Sequence, residues 1–397
     1  MEENKGKIKH STIIPLIGGS IFGITEYTGT KPDYHLSYKE FSFNEGYLMN
    51  YWPDVPRYEI NGEDFDLSKA HYVDAVNSVC PCAGLSGLSQ TSHADNKVNQ
   101  WLYESSEFVL QNVKPKVLWG ENAPALATNK GRKVAEKLAA IGRKHGYSYS
   151  MIKTNTMEHG IPQSRQRTFF FFWKSKTAPI MGYHYTKAPH LVDFLKQIPK
   201  DATQQDNVLG YKPSQTEEYK FVMQMEKFPS HEEMQKQLKN GPLTMFILEK
   251  YGYDKFFEWC DQQKQTKAIE RIRKKFEYYK FKNDNDKGFM DGSPCVAYDS
   301  TNAIIGRQLT RYMHPTEDRF YTIRELMHMM GLPMDFELKD YKQLNVICQS
   351  VPTVTTRDMM KEVVRFCSDD PTMVLAPANF VIQDNLNKCI IESRMVW

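Results

Sequence analysis

Val73-Asp74-Ala75-Val76-Asn77-Ser78-Val79-Cys80-Pro81-Cys82-Ala83-Gly84 is the stretch on which the reading of this chain turns. The run to Val79 has the length and apolar content of a buried strand, and a proline and a glycine end it. Leu85, Ser86, Gly87, Leu88 and Ser89 then make a loop of small residues. A cysteine at a strand-to-loop corner is where an open α/β sheet presents a reacting group. Taken alone, an unpaired cysteine there also fits a small buried hydrophobe, so the surrounding sequence has to decide.

Outward from this corner, the first part of the chain alternates strand and helix, as a doubly wound sheet does. Strands are expected at 12–17, 35–38, 73–79 and 116–119, and a helix at 131–145 with Val134, Leu138, Ala139 and Ile141 on its apolar face. Residues 147–152 and 168–173 read as two strands joined by a polar turn. From about Ala178 the character changes, and 211–290 is rich in Lys, Glu, Gln and aromatics and reads as mostly helical. A short helix at 324–330 is closed by Gly331-Leu332-Pro333, and another is expected at 358–366. The last thirty residues carry no motif.

The bulk composition is that of an ordinary soluble chain: 397 residues, 41% hydrophobic, 25% charged, with no apolar run of membrane-spanning length. No membrane association is expected. The charged start, Met1-Glu2-Glu3-Asn4-Lys5, lacks an apolar signal core, so a cytoplasmic location is expected. Seven irregularly spaced cysteines fit free thiols. They form no zinc pattern, so no metal is expected. A net charge of +3 is too small to define a nucleic-acid partner by itself.

Four constellations bear chemistry. Gly18-Gly19-Ser20-Ile21-Phe22-Gly23 follows a strand, where glycines let the backbone approach a ligand and the next helix offers N–H donors to an anion. Glu40, about twenty residues on, is placed to bind ribose hydroxyls. Glu121-Asn122-Ala123-Pro124 follows another strand and reads either as a loop acid or N-cap, or as a general acid beside a substrate. Gln163, Arg165 and Arg167 enter the hydrophobic run 168–173. Alternate arginines point the same way off a strand, and burying them requires carboxylates, carbonyls or a ligand. These arginines would also supply the cations that make Cys82 reactive. Separately, 264–282 holds eight basic and two acidic residues among Phe276, Tyr278, Tyr279 and Phe281. It fits either a solvated helix face or a backbone-tracking, base-stacking surface.

In this order the runs resemble the cytosine carbon-5 DNA methyltransferase family. Pro81-Cys82, Glu121-Asn122-Ala123 and Gln163/Arg165/Arg167 match its Pro-Cys, Glu-Asn-Val and Gln-x-Arg-x-Arg motifs. Residues 319–326 and 330–333 resemble its ninth motif, and 350–354 its tenth. Ala83 departs from the family's glutamine, Cys80 from its proline, and Cys348-Gln349 from its Gly-Asn.

The resemblance implies a Rossmann-like doubly wound sheet of the class I methyltransferase type with a smaller target-recognition domain. It divides the chain into a catalytic, cofactor-binding domain (1–177), a helical, lysine-rich recognition domain (178–320), a return to the catalytic domain (321–366) and a C-terminal extension (367–397). It implies methyl transfer from S-adenosyl-L-methionine to carbon 5 of a flipped cytosine in DNA, as in restriction–modification. Cys82, Glu121, Arg165 and Arg167 would be catalytic. Gly18, Gly19, Gly23, Glu40, Glu59, Pro81 and Ser350 would bind the cofactor, with Glu59 reaching the adenine amino group. Ser86, Gln163, Arg271, Arg273, Lys274, Lys275, Lys280 and Lys282 would contact DNA. The expected partner is double-stranded DNA and the expected state a monomer in a bacterial or phage-infected cell. The alternatives are a tRNA cytosine-5 methyltransferase and a non-catalytic DNA-binding relative.

Overall fold

A computed structural model describes residues 7–81, 84–85, 93–206, 209–285, 287, 292–306, 311–338, 341–384 and 389–394. Contacts divide it into two units: residues 1–161, 165–188 and 329–397 in the first, and 162–164 and 189–328 in the second. The strands in chain order are β1 (His10–Ile13), β2 (His35–Ser37), β3 (Arg57–Glu59), β4 (Ala75–Ser78), β5 (Val117–Asn122), β6 (Ser148–Asn155), β7 (Gln163–Ser164), β8 (Gln166–Trp173), β9 (Asn240–Pro242), β10 (Cys295–Ala297), β11 (Thr301–Asn302), β12 (Phe380–Asp384) and β13 (Cys389–Arg394). The helices are α1 (Gly19–Thr28), α2 (Ser42–Tyr51), α3 (Asn99–Phe108), α4 (Arg132–Lys144), α5 (Leu191–Leu195), α6 (Glu217–Glu226), α7 (His231–Leu238), α8 (Leu243–Lys250), α9 (Gly252–Gln262), α10 (Lys267–Asp284), α11 (Ile323–Met329) and α12 (Thr353–Cys367). Among the described residues no helix is long and apolar enough to cross a membrane.

The first unit is built on one nine-stranded sheet of order β13-β12-β6-β8-β5-β4-β1-β2-β3. The chain lays β2 and β3 to one side of β1 and then returns to lay β4 and β5 to the other. The order therefore reverses between β1 and β4, the switch point at which such sheets open a ligand crevice. β8 runs antiparallel to β5 and β6, and β13 antiparallel to β12, while the other pairings are parallel. The start of β8 thus lies beside the ends of β5 and β6.

β8 tolerates five aromatics in a row because both its faces are covered. Phe169 to Trp173 are all fully buried. Phe171 stacks on Trp119 of β5 (centroids 5.8 Å apart) and on Trp173 (5.0 Å). Phe170 and Phe172 face the other way, into a core shared with Leu36, Val76 and Leu118 and with Leu102, Val134 and Leu138 of α3 and α4. Each such side chain contributes roughly 2–3 kcal/mol by leaving water.

The structure corrects several boundaries. The first strand ends at Ile13 because Ile14 and Leu16 take positive φ (54° and 51°), which bends the chain into the Gly18 turn. The helix expected at 358–366 starts at Thr353. The terminal stretch without a motif supplies β12 and β13, and β12 pairs with β6 along its whole length. Residues 178–188 stay with the first unit because Ala178 and Ile180 donate backbone hydrogen bonds to Ala378 and Val374. The return to the first unit falls at Met329.

The second unit is largely helical. Its core gathers Phe221, Phe256, Trp259 and Phe276 from α6, α9 and α10, with Phe256 and Phe276 stacked at 3.8 Å. Two short pairings accompany it, β9 with β10 and β7 with β11.

Candidate active site

The carboxyl ends of β1 to β5 and the start of β8 lie along one edge of the first unit's sheet and lead to Gly18, Glu40, Glu59, Pro81, Glu121 and Arg167. β4 leads into Cys80 and Pro81, while Cys82 and Ser86 lie outside the described residues. Cys80 is buried, its Sγ lies 3.2 Å from Ser78 Oγ and 3.1 Å from Ser105 Oγ, and burial pushes its pKa up to about 11. Pro81 is half-buried at the corner. Gly84 is needed for close approach, since a Cβ there would fall 2.3 Å from Asn99 Oδ1.

Glu121 ends β5 and is 3% exposed. Its Oε2 lies 3.2 Å from Arg167 Nε on β8. That separation is within ion-pair reach, yet among the described residues neither atom makes a hydrogen bond, because the N–H is not aimed at the oxygen. A buried carboxylate and a half-buried guanidinium thus face each other with one oxygen and one N–H unmet, as a pair awaiting a polar ligand would.

Arg165, just before β8, is 2% exposed and donates from Nη2 to the carbonyls of Cys348 and Ser350, both at 2.8 Å. Buried Arg165 therefore meets backbone carbonyls, as its burial requires, while half-buried Arg167 faces the Glu121 carboxylate and donates from Nη1 to the Gln166 carbonyl at 2.8 Å. The loop between β6 and β8 is held by a network that sequence reasoning missed. His159, fully buried, places Nδ1 2.7 Å from Asp358 Oδ2 on α12 and Nε2 2.6 Å from Thr154 Oγ1. Asp358 also meets Lys361 Nζ at 2.6 Å. Burial pushes the Asp358 carboxyl up, but His159 and Lys361 outweigh it and hold it well below the usual carboxylate range. His159 and Asp358 are 199 residues apart, so no local pattern signals their pairing.

The residues expected to bind the cofactor separate into two groups. Gly18 caps α1 at φ +93° with no side-chain cap, so the first N–H groups of α1 are available to an anion. Gly19 packs beside Ser350, where a Cβ would fall 2.4 Å from the Ser350 hydroxyl. Glu40 accepts from Asn61 Nδ2 at 3.1 Å. Glu59 accepts from Arg57 at 2.6 Å and Ser42 at 2.9 Å, both through Oε1, and Arg57 lowers its pKa. Arg57 also grips the buried Glu45 at 2.6 Å. An uncapped helix start and two acids at the ends of β2 and β3 fit a ligand carrying a carboxylate, a ribose and an adenine. Gly23 does not belong to this group. Its Cβ position lies 2.1 Å from the Thr353 carbonyl, so it is glycine to let α1 pack on α12.

The expected DNA contacts are also corrected in part. Gln163 is fully buried and its Oε1 accepts from the backbone of Ile304. Arg273 is paired with Asp261 and Glu277, Lys275 with Glu218, and Lys280 with Asp254. Arg271 and Lys274 remain exposed, and Lys282 sits 5.5 Å over the Tyr278 ring.

A profile of the C-5 cytosine-specific DNA methylase family matches residues 38–365, and the chain belongs to that family. Its methyl donor is S-adenosylmethionine, which the two acids and the glycine turn suit. The type II methyltransferase M.AgeI of Thalassovita gelatinovora is 29% identical over 99 residues, which are 25% of this chain. That match spans only 23% of the relative's own length. A prophage-encoded E. coli protein described as a DNA modification methyltransferase superposes with a TM-score of 0.55 at 14% identity, covering 91% of this chain and 99% of that one. The Entamoeba histolytica methyltransferase EhMeth superposes with a TM-score of 0.54 at 12% identity, covering 91% and 98%. At these identities the two structures support the fold, a Rossmann-like α/β sheet of the class I type.

Proposed function

We propose that this chain is a DNA cytosine-5 methyltransferase acting as a monomer on a cytosine flipped out of duplex DNA. The observation that carries this reading is the ion pair of buried Glu121 with half-buried Arg167, whose facing Oε2 and Nε make no hydrogen bond among the described residues, near the end of β5, the strand that pairs with β4. Cytosine carbon 5 is a weak nucleophile and needs activation. The Cys82 thiolate adds to carbon 6, forming a C–S bond and pushing the ring electrons toward carbon 5. Glu121 hydrogen-bonds and protonates ring nitrogen 3, relieving the charge that builds there. Arg167 holds the base carbonyl oxygen, and Arg165 fixes the 348–350 segment beside Gly19. When bound, S-adenosylmethionine supplies an electrophilic methyl group to carbon 5. Loss of the carbon-5 proton to a base then expels the Cys82 thiolate, and nitrogen 3 returns its proton to Glu121, which restores the neutral ring. Gly18 and Gly19 hold the methionine part, Glu40 the ribose and Glu59 the adenine amino group, with Pro81 and Ser350 bordering the pocket.

Incubation of wild type, Cys82→Ser and Glu121→Gln with labelled S-adenosylmethionine, duplex DNA and tRNA tests this reading. Label in DNA from wild type, abolished by Cys82→Ser, is expected. Transfer that survives Cys82→Ser would rule out the covalent route, and transfer to tRNA in place of DNA would reassign the substrate. No transfer to either would favour the non-catalytic reading. Light scattering with and without DNA tests the monomer.

A further inference from the structure

α10 buries Ile269, Ile272, Phe276 and Tyr279 in the core of the second unit. On its opposite side Lys267, Arg271, Lys274, Tyr278 and Phe281 follow one another at steps of four, three, four and three, which aligns them on a single ridge. All five are exposed, Tyr278 at 52% and Phe281 at 58%. The ridge is about 21 Å long at 1.5 Å per residue, which matches roughly six base steps of a duplex at 3.4 Å each.

The cations of α10 fall into two sets. On the shoulder toward α9, Arg273 and Lys280 are answered by Asp261, Glu277 and Asp254. Lys275 is answered by Glu218, itself 5% exposed. These pairs neutralise their charges and tie α10 to its neighbours. On the ridge, Lys267, Arg271 and Lys274 make no ion pair among the described residues, although exposed Glu270 flanks them. Three uncompensated cations followed by two exposed rings on one line form a surface complementary to a strand of phosphates, sugars and bases.

We propose that this ridge grips DNA away from the reacting base. Lys267, Arg271 and Lys274 sit on neighbouring phosphates, and Tyr278 and Phe281 pack against sugars and bases of the same strand. Lys282, over the Tyr278 ring, keeps that ring positively flanked. The proposal rests on DNA being the substrate. It also replaces the wider basic set read from the sequence, since Arg273, Lys275 and Lys280 hold the helix in place.

The test is binding of the full chain to a fluorescent mixed-sequence duplex over a range of salt concentrations. Lys267→Gln/Arg271→Gln/Lys274→Gln is expected to flatten the slope of log K against log salt by about 2.7, because each phosphate left without its cation removes about 0.9. Tyr278→Ala/Phe281→Ala is expected to weaken binding roughly tenfold or more with the slope unchanged. Arg273→Gln/Lys280→Gln is expected to leave the slope as in wild type. An unchanged slope in the triple variant overturns the ridge, as does a flattened slope with tRNA but not with DNA. If the ridge fails in this way while wild type still labels DNA, the enzymatic reading stands. If the ridge variants behave as expected while wild type labels no nucleic acid, that reading falls and the ridge stands.

Discussion

Arg165 at the edge of the sheet and Arg273 on α10 are the same side chain in opposite circumstances. Arg165 is 2% exposed and its guanidinium is answered by two backbone carbonyls at 2.8 Å. Arg273 keeps about a third of its side chain in water and is answered by Asp261 and Glu277 on the surface. Removing a buried ionic partner leaves a polar group stranded and costs about 3–5 kcal/mol, whereas exposed pairs contribute about 0–1 kcal/mol. The edge of the sheet therefore depends on each of its charges, while the surface of α10 can lose individual pairs and still fold.

The sharpest way to break this contrast is Asp358→Ala, which strands His159 and the Lys361 cation. A loss of about 3–5 kcal/mol is expected in urea unfolding. The Asp358 carboxyl is depressed in the fold, so its contribution is complete above the ordinary carboxylate pKa near 3.8 and fades as pH falls below it. The gap between wild type and variant should close in that acid range, and a gap independent of pH would refute the ion pair.

His35 is the next test, because it is buried in the same sheet with no hydrogen-bond partner at either ring nitrogen among the described residues. Burial first, then His10 and Arg57, pull its pKa from 6.5 down to about 3. The unfolded chain therefore binds the extra proton between those values. Stability is full above about 6.5 and should drop by on the order of 3 kcal/mol as pH falls to 4. His35→Leu should flatten that decline without loss at pH 7; parallel pH profiles would show that His35 is not its source.

Gly23→Ala is expected to cost about 1–3 kcal/mol, since its Cβ meets the backbone carbonyl of Thr353 at 2.1 Å as well as the buried Thr356 hydroxyl at 2.3 Å. A neutral Gly23→Ala would mean that α1 and α12 yield more easily than their packing indicates. Arg273→Ala marks the small end: a change within about 0.5 kcal/mol is expected, and a change near that of Asp358→Ala would erase the distinction between the two regions.

What the sequence made legible was local. The end of the strand before Cys80-Pro81, Glu121 near a strand's end, the two arginines before a run of phenylalanines and the helical character of 211–290 all follow from spacing and composition. What it hid was distant in the chain. The basic run 264–282 looked uniform, because the acids that neutralise three of its eight cations, Asp254, Asp261 and Glu218, lie on other helices. Gln163 looked like a surface residue of a polar loop, yet its amide serves the backbone of Ile304. The last thirty residues carried no motif because two short strands need a sheet to join before their pattern has meaning.

By itself, then, the sequence pointed to a chemistry: a cysteine, a glutamate and two arginines whose motifs and spacing suit the ligand edge of an α/β sheet. The tertiary structure alone decided the setting. The antiparallel course of β8 carries Arg167 back beside Glu121, and Asp358 reaches across 199 residues to hold His159. Packing also decided which cations of α10 stay available. The physical reason is that residue type fixes what a group can do, while burial and partners, set by contacts far apart in the chain, fix whether it is committed or available.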